Sequence, residues 1–361
     1  PLRDVPFIFA SSQMPCSLNL AMSFAPCLEC SRKWAFERST FLHGSTWRGR
    51  SLGPSHEVPC STCSNAAFTW SCVRAASLTR FASRTMAIEC AVPHASAMAT
   101  AQIEGKQHYD ELERQGVLGI IRKTRIRGRL ADGVPMREGE KMLHLIRHGQ
   151  GFHNLLGDLY RDFGKTVDST GGDKSGNPYV RPEIEDSPLT AVGRQQAKAL
   201  RPTTRALTGI ELVVLSPLQR AAQTAALAMP HLKELVPWIG HPLVQETSGV
   251  NVCDRRRDRS EIQDDFPWVE WGRLDSEKDE FFDPDERESA RSVSDRGYDF
   301  MRWVRARPES EIIVATHSAW LFTLLNTVIE ADSSDLSSWF LTGELRSVIV
   351  SFEDRASPAA L

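Results

Sequence analysis

The sequence predicts an α/β protein, a three-layer sandwich with a mostly parallel central sheet flanked by helices. Three observations carry this expectation. Four short runs, over residues 142–146, 211–215, 312–315 and 347–352, are nearly all apolar, as in strands buried on both faces. Helical segments alternate with these runs, which points to a covered sheet. Three of the runs end in polar residues that lead into a helix: Arg147-His148-Gly149, Ser216-Pro217 and Thr316-His317-Ser318. In such sheets the carboxyl ends of the strands face the ligand crevice.

Taken in order, residues 1–100 are a low-order leader of different composition from the rest. Seven of the eight cysteines lie there, and the leader carries net charge +4 against −7 for residues 101–361. Residues 58–88 lack Asp and Glu but hold Arg74, Arg80 and Arg84 among many Ser and Ala. That composition reads either as an organelle transit peptide or as a gene-model extension, with translation beginning at Met86 or Met98. Localisation is accordingly expected to be cytoplasmic, or plastid or mitochondrial if the leader is genuine. Cys27/Cys30 and Cys60/Cys63 have the local spacing of a zinc ribbon but are too far apart for that pattern, so no metal is assigned.

Residues 101–140 read as a polar, partly helical lead-in that packs on the domain edge. Residues 141–355 hold the strands and helices. Thr190 N-caps a helix expected over 191–205, Pro217 sits just inside the start of one over 218–228, and Ser318 caps one over 319–329. Residues 161–187 read as a loop, and the charged stretch 254–296 as an insertion over the site. His144 reads as a satisfied core histidine.

Several classes are excluded. Apolar content of 41% and charged content of 25% exclude a disordered or collagen-like chain. A net charge of −3 leaves no global basic footprint for nucleic acid. One cysteine in residues 101–361 is not a disulfide scaffold. The most apolar stretch, over residues 312–329, is broken by Thr316, His317, Ser318, Thr323, Asn326 and Thr327, so no membrane span is expected.

Helices that start at strand ends aim backbone N–H groups and positive dipole ends into the crevice. Arg147, His148, Arg220 and His317 add side chains of the same preference. Two guanidinium groups suit the oxygens of a phosphoryl group, and an imidazole among them is a competent nucleophile. His153, beside the first triplet, reads equally as a surface residue or a substrate contact. The run Arg255-Arg256-Arg257, with Asp254 and Asp258, reads as a solvated face or, as the functional alternative, a contact to a second anionic group on the substrate, and Asp186 reads as a turn residue.

These residues sit in motifs that resemble a known family. The run from Leu145 to Asn154, LIRHGQGFHN, resembles the signature of the histidine phosphatase superfamily, with its phosphoglycerate mutase-like fold. Ser187-Pro188-Leu189-Thr190 with Gly193 and Gln195-Gln196-Ala197 resembles its next element. Ser216-Pro217-Leu218-x-Arg220-Ala221-x-Gln223-Thr224-Ala225 resembles its second-arginine motif. Gln245-Glu246 with the stretch from Gly249 to Arg256 resembles the acidic element of its plant and fungal phosphoglycerate mutase-like proteins. Ala315-Thr316-His317-Ser318 resembles the closing histidine motif. The resemblance spans about residues 141–352.

The resemblance implies an enzyme with His148 as the phosphorylated nucleophile. It implies Arg147, Arg220 and His317 as the groups that bind and stabilise the phosphoryl group, and Asn154 as a further hydrogen-bond donor to it. Glu246 would be the general acid and then the base. No cofactor is implied. The dedicated mutases follow their acidic residue with a substrate-binding stretch of Arg, Tyr, Gly and Lys, whereas Glu246 is followed by Thr247-Ser248-Gly249. Gly151 also replaces a small hydroxyl residue of those mutases. The expected activity is therefore metal-independent hydrolysis of a phosphomonoester, a small phosphorylated metabolite, with a phosphoglycerate mutase-type transferase and a non-catalytic phospholigand binder as alternatives.

Overall fold

A computed structural model of the chain describes residues 98–131, 133–167 and 176–356. The chain divides into two units, Pro1–Val73 and Arg74–Leu361. The first unit, with its cysteine pairs, the Arg- and Ser-rich stretch and residues 168–175 of the expected loop lie outside the described residues.

Helix α1, residues 98–114, comes first. It is followed by β1 (Thr124–Leu130), β2 (Lys141–Arg147), α2 (Phe152–Asp162), α3 (Ala191–Ala199) and α4 (Arg201–Ala206). Then come β3 (Leu212–Leu215), α5 (Gln219–Ala228), β4 (Trp238–Gly240), α6 (Arg259–Asp265) and α7 (Ala290–Ala306). The described part closes with β5 (Glu311–Thr316), α8 (Ser318–Thr323), β6 (Ile329–Ala331), α9 (Ser334–Ser337) and β7 (Leu345–Asp354). The seven strands form one sheet in the order β4-β3-β5-β2-β7-β1-β6. Only β7 runs against its neighbours, so the sheet is mostly parallel.

Alternate residues of the central strands feed two separate cores, because side chains alternate faces along a strand. Leu143, Leu145, Leu212, Val214, Ile312 and Val314 pack with Phe300, Met301 and Val304 of α7 and Trp320 and Leu321 of α8. Ile146, Val213, Leu215, Ile313 and Ala315 pack with Ala222, Ala225 and Ala228 of α5 and with Ile262 of α6. Helices therefore cover both faces, and the expected three-layer α/β architecture is what the chain adopts. His144 is buried, with its ring nitrogens on Ser347 Oγ at 2.7 Å and Glu311 Oε1 at 3.0 Å.

The structure differs from the sequence reading at several places, each with a physical reason. Residues 101–140 do more than pack on an edge: they hold most of α1, and β1 lies inside the sheet between β7 and β6. The expected helix over 191–205 is two helices, because Pro202, in the first turn of α4, has no N–H to continue the ladder. Thr190 caps α3 by accepting the Gly193 N–H at 3.0 Å. Ser318 is the first residue of α8, with His317 at the N-cap. That helix passes into a π-turn over Leu324–Val328, and Ile329 then begins β6.

Candidate active site

The register places the chemistry. Arg147, at the end of β2, pairs with Thr316 at the end of β5, and Leu215, at the end of β3, pairs with Ala315. His148, Ser216 and His317 therefore leave the sheet side by side, and α5, which carries Arg220, starts over the same edge. Motif residues without chemistry of their own hold the His148 loop. Its backbone N–H donates to Thr316 O at 3.0 Å, and the Gly149 N–H donates to Thr224 Oγ1 at 3.0 Å. The Gln150 N–H donates to Gln196 Oε1 at 2.8 Å. Gly193 lets α3 press on this loop, since a Cβ there would lie 2.1 Å from Gln150 O.

His148 is 1% exposed. Its Nδ1 lies 2.6 Å from Gly149 O, so Nδ1 carries the proton and donates it, leaving the lone pair on Nε2. Arg220 Nε donates to that Nε2 at 3.3 Å. Burial, with Arg220 and Arg147 nearby, holds His148 well below the usual histidine range, so the imidazole is neutral. The His317 ring lies 5.1 Å from that of His148 and the His153 ring 5.5 Å. His317 Nε2 meets Ser216 Oγ at 2.7 Å. Burial and Arg220 hold both neighbouring histidines well down as well. His153 thus belongs to the site, and Gly151 explains how: a Cβ there would lie 2.7 Å from the His153 ring. The small hydroxyl residue of the mutases would displace this imidazole.

Arg147 is buried and donates from Nη1 to Phe340 O at 2.6 Å. Arg147 Nε, His153 Nδ1, His317 Nδ1 and Thr247 Oγ1 are buried polar atoms without a hydrogen-bond partner. Such atoms cost free energy unless a ligand supplies the missing partner, and Arg147, His153 and Thr247 among these residues line one cavity. Asn154 also lines that cavity, and its Oδ1 accepts the Gly151 N–H at 2.9 Å, which leaves its NH2 for a ligand. Glu246 reaches the cavity from the other side. Its carboxylate accepts backbone N–H groups of Thr247 and Trp320 at 3.0 Å and of Ala319 at 3.2 Å. Burial first, and the nearby Asp254 second, raise its carboxyl above the usual range against those N–H groups. The structure thus brings together all six residues expected in the site.

The cavity encloses about 120 Å³. Three contributions to its wall were not foreseen. Helix α1 supplies Glu104, Gln107, His108 and Glu111. It is anchored by Glu104 on Arg161 at 2.7 Å, by His108 on Thr323 at 3.1 Å, and by Leu112 packed against Ala290 and Phe322. Asp254 is 4% exposed and binds Arg220. Arg287 binds Asp254 from the far side. The expected solvated face thus holds for the exposed Arg255 but not for Asp254. Arg256 is buried as well and staples the backbone of 276–278 through its guanidinium, away from the cavity. The expected turn residue Asp186 is buried at φ 40°, where its Oδ1 accepts the Gln219 N–H at 2.8 Å and clips the start of α5. Cys253 also lines the cavity, but burial pushes its thiol far up, so it is no thiolate.

Residues 181–358 match the histidine phosphatase superfamily (branch 1), a span that includes Arg220, Glu246 and His317 and begins after His148. The chain is similar to an Arabidopsis thaliana phosphoglycerate mutase-like protein, 30% identical over 58% of this chain and 84% of the relative. Phosphoglycerate mutase-like protein 1 of the same plant is also 30% identical, over 58% of this chain and 81% of its own length. Among solved structures, the alpha-ribazole phosphatase of Shigella flexneri is similar at 20% identity and a TM-score of 0.36, covering 57% of this chain and 89% of that one.

Proposed function

The chain belongs to the histidine phosphatase superfamily, and from that premise we propose that it is a metal-independent phosphomonoester hydrolase working through a phosphohistidine. The observation that carries this reading is the state of His148, a neutral imidazole with its proton fixed on Nδ1 and its Nε2 lone pair facing Arg220. Arg147, Arg220, His317 and the Asn154 amide meet the charge on the phosphoryl oxygens with fixed donors, which is what phosphoryl transfer requires.

In the first step His148 Nε2 attacks phosphorus, the P–O bond to the leaving group breaks, and protonated Glu246 gives its proton to the departing oxygen. In the second step Glu246, now a carboxylate, takes a proton from water as the water oxygen attacks phosphorus. The P–N bond breaks, inorganic phosphate leaves, and both residues regain their starting states. The raised carboxyl of Glu246 supports the acid role. Thr247-Ser248-Gly249 after Glu246 favours hydrolysis over transfer between phosphoglycerates.

The test uses the purified full chain with radiolabelled glycerol phosphate. Quench in alkaline detergent traps label on the protein that acid then releases, as a phosphohistidine requires, free phosphate accumulates without added metal, and His148→Ala loses both. Hydrolysis that persists in His148→Ala overturns the mechanism. With radiolabelled 3-phosphoglycerate as a second substrate, label passing to 2-phosphoglycerate in place of free phosphate makes the chain a mutase, and ligand binding without label on protein makes it a binder.

A further inference from the structure

We propose that Asp254 is a positioning residue for this reaction, whose buried carboxylate fixes the Arg220 guanidinium with Nε on His148 and its outer N–H groups free for phosphoryl oxygens. The proposal rests on the phosphohistidine reading above. Arg220 is fully buried and every nitrogen of its guanidinium is engaged. Nε donates to His148 Nε2 at 3.3 Å, Nη1 to Cys253 O at 2.7 Å and Nη2 to Asp254 Oδ1 at 2.8 Å. Since each terminal nitrogen carries two hydrogens, one N–H on each stays available to substrate. The fork can present those two donors in only one rotation, and Asp254 with the Cys253 carbonyl sets it.

Asp254 is itself aimed. Its second oxygen, Oδ2, accepts Arg287 Nη1 at 2.9 Å, and the same nitrogen donates to Gly249 O at 2.9 Å. Its backbone is tied at both ends: the N–H donates to Asn251 O at 2.9 Å, and Gln245 Nε2 donates to its carbonyl at 3.1 Å. One carboxylate thus lies between two guanidinium groups, one oxygen to each. Removing it would leave the buried Arg220 charge without its counter-ion and free to turn away from His148.

The same carboxylate bears on Glu246, which gives a readout that loop support alone would not move. The charged groups that face Glu246 are Asp254, Arg220 and Arg147, and the backbone N–H groups of Thr247, Ala319 and Trp320 hold its oxygens. Arg296 of α7 reaches only its backbone carbonyl. Like charge on Asp254 raises the Glu246 carboxyl, so an uncharged residue at 254 lets it ionise at lower pH.

The experiment compares full-length wild type, Asp254→Asn and Asp254→Glu with glycerol phosphate, each shown to be folded by circular dichroism. Asp254→Asn is expected to lower kcat about 100-fold, the scale of a misplaced catalytic group, with a smaller change in KM because Arg147 and His317 still bind phosphate. The alkaline limb of its kcat/KM profile moves to lower pH. Asp254→Glu keeps the charge but displaces it, so kcat falls while that limb stays. Wild-type kcat and an unmoved limb in a folded Asp254→Asn overturn the proposal. If Asp254→Asn does not fold, wild-type kcat in Asp254→Glu overturns it. Absence of phosphohistidine in the wild type would instead strike the underlying reading.

Discussion

Glu246 shows how one residue can be read for type in the sequence and for strength only in the structure. Its motif position suggests an acid, but the raised carboxyl comes from burial and from Asp254, neither of which a linear sequence displays. As an acid it must be protonated, so kcat/KM for an alkyl phosphate should fall as pH rises through the Glu246 value. In kcat/KM, which reports the first step alone, Glu246→Gln should lose about 10²–10⁴-fold against glycerol phosphate and far less against p-nitrophenyl phosphate, whose leaving oxygen needs little protonation. Equal losses in kcat/KM on both substrates would remove Glu246 from the acid role. His148, Arg220 and His317 were legible because strand ends and helix starts put them at one edge in a recognisable order. Asp254 and Arg256 were not, since a charge run looks the same whether it is solvated or folded inward. His153 was half legible: its neighbour Gly151 leaves the space its ring fills.

At the scale of elements, β1 is the instructive omission. Its sequence TRIRGRL alternates strictly, with Ile126 buried and Arg125, Arg127 and Arg129 turned to the other face in ion pairs with Glu330, Glu353 and Glu140. That is a period of two, hidden by an arginine at every second place. Strands β4 and β6, of three residues each, are too short to leave any period. Helix α1 was read as polar because only a narrow stripe, Ala101, Gly105 and Leu112, is buried, yet the polar residues beside that stripe line the cavity. Leu112, fully buried, is its main apolar anchor. Leu112→Ala should cost about 2–5 kcal/mol if the whole domain reports it. We expect a smaller loss, because α1 can loosen alone, with KM for glycerol phosphate rising severalfold and kcat nearly kept. Thermal melting and steady-state kinetics check this together, and an unchanged KM would mean that α1 takes no part in holding substrate.

The whole molecule should respond to acid in a way its site dictates. His108, His144, His148, His153, His241 and His317 are all shifted below the usual 6.5, chiefly by burial, with His108 at about 4 and His241 at about 3. The unfolded chain therefore takes up protons first as pH drops below 6.5, and folding stability falls. Asp158, Asp186 (at about 6) and Glu246 are shifted up and act in the opposite sense, gaining stability over the window down to their ordinary values. The histidines outnumber them, so the melting temperature should drop between pH 7 and pH 5. A flat or rising profile would falsify this balance. The strand order has a further consequence for how the chain is made. The block β4-β3-β5-β2 and the pair β1-β6 are hydrogen-bonded into one sheet only through β7, the last strand of the seven in sequence. During synthesis β1 emerges early and keeps one hydrogen-bonding edge open until β7 arrives, more than two hundred residues later. Over that interval the nascent chain carries its own template for wrong pairing, and the three arginines along β1 are the kind of charge that blunts such an edge.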